Sequence, residues 1–347
     1  MKAFVVSSYG QPLQERDVDE PVLGPRDVLV QIEAAGLNHL DEKIRLGEFR
    51  RILPYRLPII AGSDLAGTVI AIGAAVRGLR PGDEVYARPA QNRIGAFAER
   101  IAVDEADLAP RPSSITVEEA GSLPLVALTA WQALVECGAV RPGQKVLIHA
   151  GAGGVGSIAI QLAKHLGATV ATTASAANTE FARSLGADIV IDYRSEDFEQ
   201  LLSGYDLVLD SLGGETLEKS LRVLRPGGLV IGIAGPPDPA FARRSGSNPL
   251  VRAAVALLSR RVRARAKALG VSYEFLFMRA DGAQLREIAA LVDDGALRPV
   301  VGRVIPFSQI PAALGSLGEG GIRGKVVMTT RSAPSTERHP DTEKASR

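Results

Sequence analysis

Apolar and polar positions follow different rhythms in the two halves of the chain. Up to about residue 120 the apolar positions come in short runs broken by turns. Residues 27–35 (DVLVQIEAA) partly alternate, with Val28, Val30 and Ile32 on one face. Residues 67–72 and 97–103 are two more strand-like runs, and Pro81-Gly82-Asp83 is a turn signal between them. This half reads as a compact β-rich domain. The pattern then changes. Thr116 followed by Glu119 predicts a capped helix start, and Pro124 a break between two helical segments. Strand-like segments at 145–149, 169–173, 188–192, 205–210, 228–233 and 271–277 alternate with helical ones. That alternation predicts an α/β fold with a parallel, doubly wound sheet. A helix over 283–293, a strand near 300–305, a short helix and a last strand (GKVVMTT) follow. The polar tail 331–347 reads as disordered.

Composition narrows the classes. The chain has 347 residues, of which 46% are apolar, so it suits two ordinary globular domains rather than a disordered chain. Its net charge of +1 argues against a dedicated nucleic-acid binder. Cys137 is the single cysteine, which excludes an intrachain disulfide and any Cys-rich zinc site. No uncharged apolar run approaches the ~20 residues of a spanning helix, and a cytoplasmic protein is the expectation.

One stretch stands apart. Residues 239–273 hold eight Lys or Arg residues and no acid. Leu250, Val251, Val255, Leu257 and Leu258 would form an apolar face beside them. The plain reading is an inserted surface helix. The sharper reading is a weak contact of 239–270 with a membrane surface or an anionic partner. Nucleic acid fits less well, because no aromatic residue for stacking on bases lies among the arginines between Phe241 and Tyr273.

The strongest chemical signal is His149-Ala150-Gly151-Ala152-Gly153-Gly154-Val155-Gly156. Gly151, Gly153 and Gly156 fit G-x-G-x-x-G between a predicted strand and a predicted helix, the context that a dinucleotide-binding turn requires. Gly151 would permit the tight turn, Gly153 the approach of a pyrophosphate, and Gly156 close packing of helix on strand. The helix N-terminus would face the phosphates. The next strand runs out through Thr172-Thr173-Ala174-Ser175-Ala176-Ala177-Asn178 without the acid that usually holds an NAD ribose. Ser175, Asn178 and Tyr193 are possible donors to a 2′-phosphate, so NADP is favoured, although no Lys or Arg stands at the strand end.

A β-rich half followed by this turn resembles the medium-chain dehydrogenase/reductase superfamily. The resemblance runs from Lys2 to about Thr330. It is carried by Gly36-Leu37-Asn38, Gly62-Ser63-Asp64-Leu65-Ala66-Gly67, Pro81-Gly82-Asp83-Glu84-Val85, Leu128-Thr129-Ala130, the glycine turn and Gly324-Lys325-Val326-Val327. It implies a GroES-like β-barrel domain (1–125 and 280–330) and a Rossmann domain (126–279) with the basic insertion 239–270. The zinc-ligand positions of the superfamily correspond here to Asn38, Ser63 and Leu125, a poor donor set. No metal is expected.

The remaining branch is that of quinone oxidoreductases and enone reductases. There Asn38, Asp41 and Lys43 match an Asn-x-x-Asp-x-Lys pattern. The branch holds the 2′-phosphate with a Ser-x-x-Lys and a later Tyr; Ser175 and Tyr193 match, but the lysine position is Asn178. The resemblance implies a zinc-independent, NADPH-dependent reductase of a quinone or enone. A homodimer is a separate expectation, since the strand at 271–277 could pair across a two-fold axis. Lys43 is the candidate to stabilise the enolate oxygen or to contact the cofactor ribose, with Tyr55 a weaker donor to the carbonyl. Asn38 and Thr129 match positions near the nicotinamide. Ala234, Phe275 and Phe277 should lie beside it, and Lys325 matches a late cofactor-contacting lysine. His39 reads as a packing or surface residue rather than a catalytic acid, and Asp64 as a residue that orients neighbours. Enoyl-thioester reduction and a non-catalytic, membrane-associated NADPH binder are the alternatives.

Overall fold

A computed structural model describes residues 1–50, 55–246 and 248–330. The expected tail disorder at 331–347 lies outside them. Six parallel strands form one sheet in the order Ile189–Asp192, Thr169–Ala174, Lys145–Ile148, Tyr205–Asp210, Leu224–Gly232, Ser272–Phe275. Each strand was expected from its short apolar run, and the runs are apolar because helices cover both faces. The strand order reverses at Lys145–Ile148. The crevice at such a switch point, beyond the C-terminal strand ends, is where doubly wound sheets bind ligands.

The second layer is a seven-stranded sheet. Its main path runs Val301–Pro306, Lys325–Thr329, Asp27–Gly36, Leu65–Ile72, Glu84–Ala87, Leu108–Pro110, with Arg100–Asp104 paired to Asp27–Gly36. Val28, Val30 and Ile32 are fully buried on one face of the long strand, as their alternation predicts. The chain after 300 returns to this seven-stranded sheet: Lys325–Thr329 pairs antiparallel with Asp27–Gly36. A small third sheet joins Gln14–Asp17, Lys2–Val6 and Ile59–Ile60.

The helix signals hold locally. Thr116 and Glu119 close a reciprocal capping box before the helix Val117–Ser122, and Pro124 starts a separate helix, Pro124–Trp131. The insertion departs from expectation. It forms three helices, Pro239–Arg244, Pro249–Leu258 and Arg260–Ala268. Asp238 and Asn248 cap the first two, each followed by a proline at the first helical position, where the missing N–H costs nothing. The expected apolar face is also divided. Val255 turns into the protein, whereas Leu250, Leu257 and Leu258 stay exposed.

Candidate active site

The glycine turn lies between the strand Lys145–Ile148 and the helix Gly154–His165. Gly153 is the N-cap, so the amides of residues 154–156 have no preceding helical carbonyl to meet. Each glycine has its own reason. A Cβ on Gly156 would stand 2.2 Å from the Ala150 carbonyl oxygen, so only glycine allows helix and turn to meet. A Cβ on Gly151 would stand 2.2 Å from Thr172 Oγ1 of the neighbouring strand. The left-handed residue of the turn is Ala150, at φ 54°, so Gly151 serves close strand packing rather than the turn expected of it. A Cβ on Gly153 would meet only the Ala150 oxygen, at 3.3 Å, and would otherwise fill open space. That space, with amides aimed at it, fits a pyrophosphate.

Behind the turn, His149 is buried between Thr173 Oγ1 (3.1 Å) and Ser220 Oγ (2.9 Å). Burial lowers its pKa to about 4, so it is neutral near pH 7.

At the end of the next strand, Asn178 Nδ2 donates to Ser175 Oγ at 3.2 Å. Tyr193 is 58% exposed, with the Arg194 guanidinium 5.8 Å from its ring centroid. The structure adds a residue that reading along the chain missed. Arg323 Nε donates to Asn178 Oδ1 at 2.7 Å, and its Nη2 to the Ala177 carbonyl at 2.9 Å. The cation absent from the strand end in sequence is delivered by a distant segment.

The opposite wall belongs to the barrel. Asn38 precedes the helix His39–Leu46 and is buried. Its Nδ2 donates to Asp64 Oδ2 (2.9 Å) and to the Gly36 carbonyl (3.1 Å). Asp64 Oδ1 accepts from the Leu125 amide at 2.7 Å. Asp41 Oδ2 accepts from the Asn38 amide at 2.9 Å, and its Oδ1 from Ser63 Oγ at 2.6 Å. Lys325 Nζ donates to the Leu37 carbonyl at 2.8 Å, to Asn38 Oδ1, and to Asp64 Oδ2 at 3.3 Å. Its three protons therefore point inward, which suits a strut more than a cofactor ligand. Burial pushes Asp41 up to about 6, against the Ser63 hydrogen bond. Burial also raises Asp64 and lowers Lys325, and the attraction within the pair opposes both shifts.

The expected metal-ligand positions are thus an amide, a hydroxyl and a leucine whose backbone binds Asp64. Among the described residues, no group of three His, Cys, Asp or Glu side chains is placed to hold a metal ion. Arg88, also missed, is fully buried beside this network with its Nε unpartnered. The signal was present: an arginine directly following the buried strand Glu84–Ala87.

The remaining candidates divide. Lys43 is half-buried on the helix His39–Leu46. His39, on the same helix, reaches solvent yet is crowded; that enclosure, then the charges of Lys325 and Lys43, lower its pKa. Tyr55 Oη donates to the Gln91 carbonyl at 2.8 Å, and burial pushes its pKa up to about 12. Thr129 Oγ1 donates back to the Leu125 carbonyl at 2.7 Å within its helix. Ala234 is exposed just past the strand Leu224–Gly232. Phe275 is buried edge-on against Phe241, at 5.2 Å between centroids. Phe277 stands 5.8 Å from Phe49, which follows the barrel-side helix, so these two rings join the walls.

Comparison with known proteins agrees with this geometry. The alcohol dehydrogenase GroES-like domain model matches residues 24–113, and the zinc-binding dehydrogenase model matches 185–328. The chain belongs to the medium-chain dehydrogenase/reductase superfamily. Within it, the relatives and the donor set together define the zinc-free branch of quinone oxidoreductases and alkenal/one reductases; the zinc in the second model's description does not fit Asn38, Ser63 and Leu125. The chain is 33% identical to the zebrafish (Danio rerio) mitochondrial NAD(P)H oxidoreductase RTN4IP1, over 95% of this chain and 91% of that protein. It is 36% identical to the chloroplastic NADPH-dependent alkenal/one oxidoreductase of Arabidopsis thaliana, covering 94% and 79%. The structure of the Coxiella burnetii quinone oxidoreductase superposes with a TM-score of 0.83 at 31% identity, covering 95% and 99%.

Proposed function

We propose that this chain is a zinc-independent, NADPH-dependent oxidoreductase that reduces quinones or the C=C bond of α,β-unsaturated carbonyls. One observation carries the reading. A glycine cradle faces a wall whose metal-ligand positions are tied into the Asn38–Asp64–Lys325 network. The cradle, residues 151–156, binds the pyrophosphate of NADPH, and Ser175, Asn178 and Tyr193 lie on the adenosine side. The bound cofactor supplies the hydride.

The protein's own part is positioning and charge. Lys325 and Asp64 hold the Asn38 amide and the Leu37 carbonyl in place at the nicotinamide end, near Thr129. Phe277 and Phe49 wall the cleft against water, with Ala234 and Phe275 behind the ring site. Hydride addition at the β-carbon of an enone drives negative charge onto the carbonyl oxygen, where the Lys43 ammonium stabilises it. Water then delivers a proton to the α-carbon. Tyr55 takes a structural role, since its hydroxyl is engaged by Gln91, and that weighs against an enoyl-thioester reductase relying on a tyrosine donor.

The barrel unit is 1–125 with 280–330, and the nucleotide-binding unit is 126–279. Ser272–Phe275 is the edge of the six-stranded sheet, and a homodimer pairing two such edges is our expectation. No helix among the described residues is long and apolar enough to cross a membrane, and we place the protein in the cytoplasm. The exposed Leu250, Leu257 and Leu258, flanked by Arg252, Arg260 and Arg261, favour one further reading: weak contact of 239–270 with anionic membrane surfaces. Salt-sensitive co-sedimentation with anionic liposomes, reduced by neutralising these arginines, tests it.

The main test follows NADPH absorbance with 1,4-naphthoquinone, a 2-alkenal, a vinyl ketone and crotonyl-CoA. Turnover of the first three with a saturated C=C product from the enones is expected. Turnover of crotonyl-CoA alone, or none despite NADPH binding, overturns the reading.

A further inference from the structure

We propose that Arg323 is the specificity residue for the 2′-phosphate of NADPH, taking the place of the lysine that is missing at Asn178. The inference rests on the cofactor reading above and concerns one interaction within it. Arg323 lies between the last helix-like turn and the strand Lys325–Thr329, yet its side chain reaches the loop after Thr169–Ala174. Two contacts fix the guanidinium there: Nε–H to Asn178 Oδ1 and Nη2–H to the Ala177 carbonyl. The Phe181 ring lies below it, 5.3 Å from centroid to Cζ. The Asn178 amide hands the arrangement on to Ser175 Oγ.

Three features make this a phosphate site. No carboxylate among the described residues neutralises Arg323 by an ion pair, so its charge is available. Among the described residues its Nη1 makes no hydrogen bond, which leaves donors free beside the loop after the second strand, where the adenosine ribose sits in such folds. No acid stands in residues 172–178 to claim a free 2′-hydroxyl. The neighbouring acid, Asp192, is turned onto its own loop, accepting from the Arg194 amide (3.2 Å) and Ser195 Oγ (3.1 Å). The Asn178 change then has a reason. A lysine at 178 would repel Arg323, whereas the amide oxygen of asparagine anchors it.

The test is equilibrium binding by calorimetry, with NADPH, NADH, 2′,5′-ADP and 5′-AMP titrated into the wild type, Arg323→Leu and the double variant Arg323→Leu/Asn178→Lys. Arg323→Leu should weaken NADPH and 2′,5′-ADP by about 10- to 100-fold, the worth of a charge-assisted hydrogen-bonded pair, and leave NADH and 5′-AMP within about twofold. The double variant, with the cation moved back to position 178, should recover most of the loss. Equal weakening of all four ligands would make Arg323 a merely structural anchor, and no weakening would remove it from the site; either overturns the proposal. A wild type that binds neither NADPH nor 2′,5′-ADP would instead bring down the cofactor reading itself.

Discussion

The two walls of the cleft solve the same problem with opposite means. The nucleotide-binding wall keeps charge away from the glycine turn itself: its buried acids, Asp210 and Asp238, stand at a neighbouring strand end and at the start of the insertion. Its turn offers backbone amides, and the buried polar groups behind it are neutral: His149, Thr172, Thr173 and Ser220. The barrel wall concentrates charge, with Asp41, Asp64, Arg88 and Lys325 all nearly or fully buried. Oriented amides attract phosphate with little desolvation, so the first wall needs only space and a free helix end. The second wall holds its shape by balancing two acids against two cations. Such a balance positions groups tightly but depends on every member, because each unpaired charge left behind is costly.

That contrast can be broken at four points. The largest effect should come from Lys325→Met, which strands Asp64. We expect about 3–5 kcal/mol of lost stability by urea denaturation, with part of it restored by adding Asp64→Asn. A loss below about 1 kcal/mol would mean the barrel wall is not a coupled network. The pH dependence comes next. Asp41 titrates near 6 when folded, above its ordinary value, so its stabilising contribution is complete below about pH 4 and is lost as pH rises through 6. His149 runs the other way. Its folded pKa near 4 gives stability that is complete above about pH 6.5 and lost as pH falls toward 4. The two walls therefore oppose each other between pH 4 and 6. Asp41→Asn should steepen the rise of stability with pH in that window by up to about 3 kcal/mol, and an unchanged slope would deny Asp41 this role.

A smaller effect tests the glycine turn. Gly153→Val should weaken NADPH binding about tenfold while stability changes by less than about 1 kcal/mol, because a Cβ there meets only one oxygen, at 3.3 Å. A large loss of stability would show that Gly153 serves the fold rather than the ligand. The smallest effect belongs to Tyr55→Phe: under about 1 kcal/mol in stability and under about threefold in turnover. A tenfold fall in turnover at unchanged stability would return Tyr55 to the chemistry.

The same contrast explains how much could be read from the sequence. The glycine turn was legible because its parts are contiguous and its strand and helix flank it. The parallel strands were legible because burial on two faces leaves short apolar runs. Gln14–Asp17 was not, since all four residues are exposed and only pairing with Lys2–Val6 makes them a strand. The three helices of the insertion carried a signal that went unread, the caps Asp238 and Asn248 each followed by proline. On the barrel wall, Asn38 and Asp64 could be matched to the family pattern. Their convergence with Arg88 and Lys325 depends on contacts spanning up to 288 residues, and no local pattern encodes it. Arg323 reaches Asn178 across 145 residues, which is why reading the strand end alone found no cation.

Gly324 lies between the two contacts just named, at φ 66° in a space where a Cβ would stand 2.1 Å from the Val300 oxygen. Its amide donates to the Ala152 carbonyl at 2.8 Å, and it bridges directly to Gly153. Three consecutive residues thus touch Asn178, the glycine turn and Asn38 in turn. They are also among the last of the described residues to leave the ribosome. During synthesis, a chain of about 300 residues already contains every glycine of the cradle but lacks the segment that braces it, and such long-range closures form late. The glycine turn is therefore braced only once the segment after Val300 has packed against it.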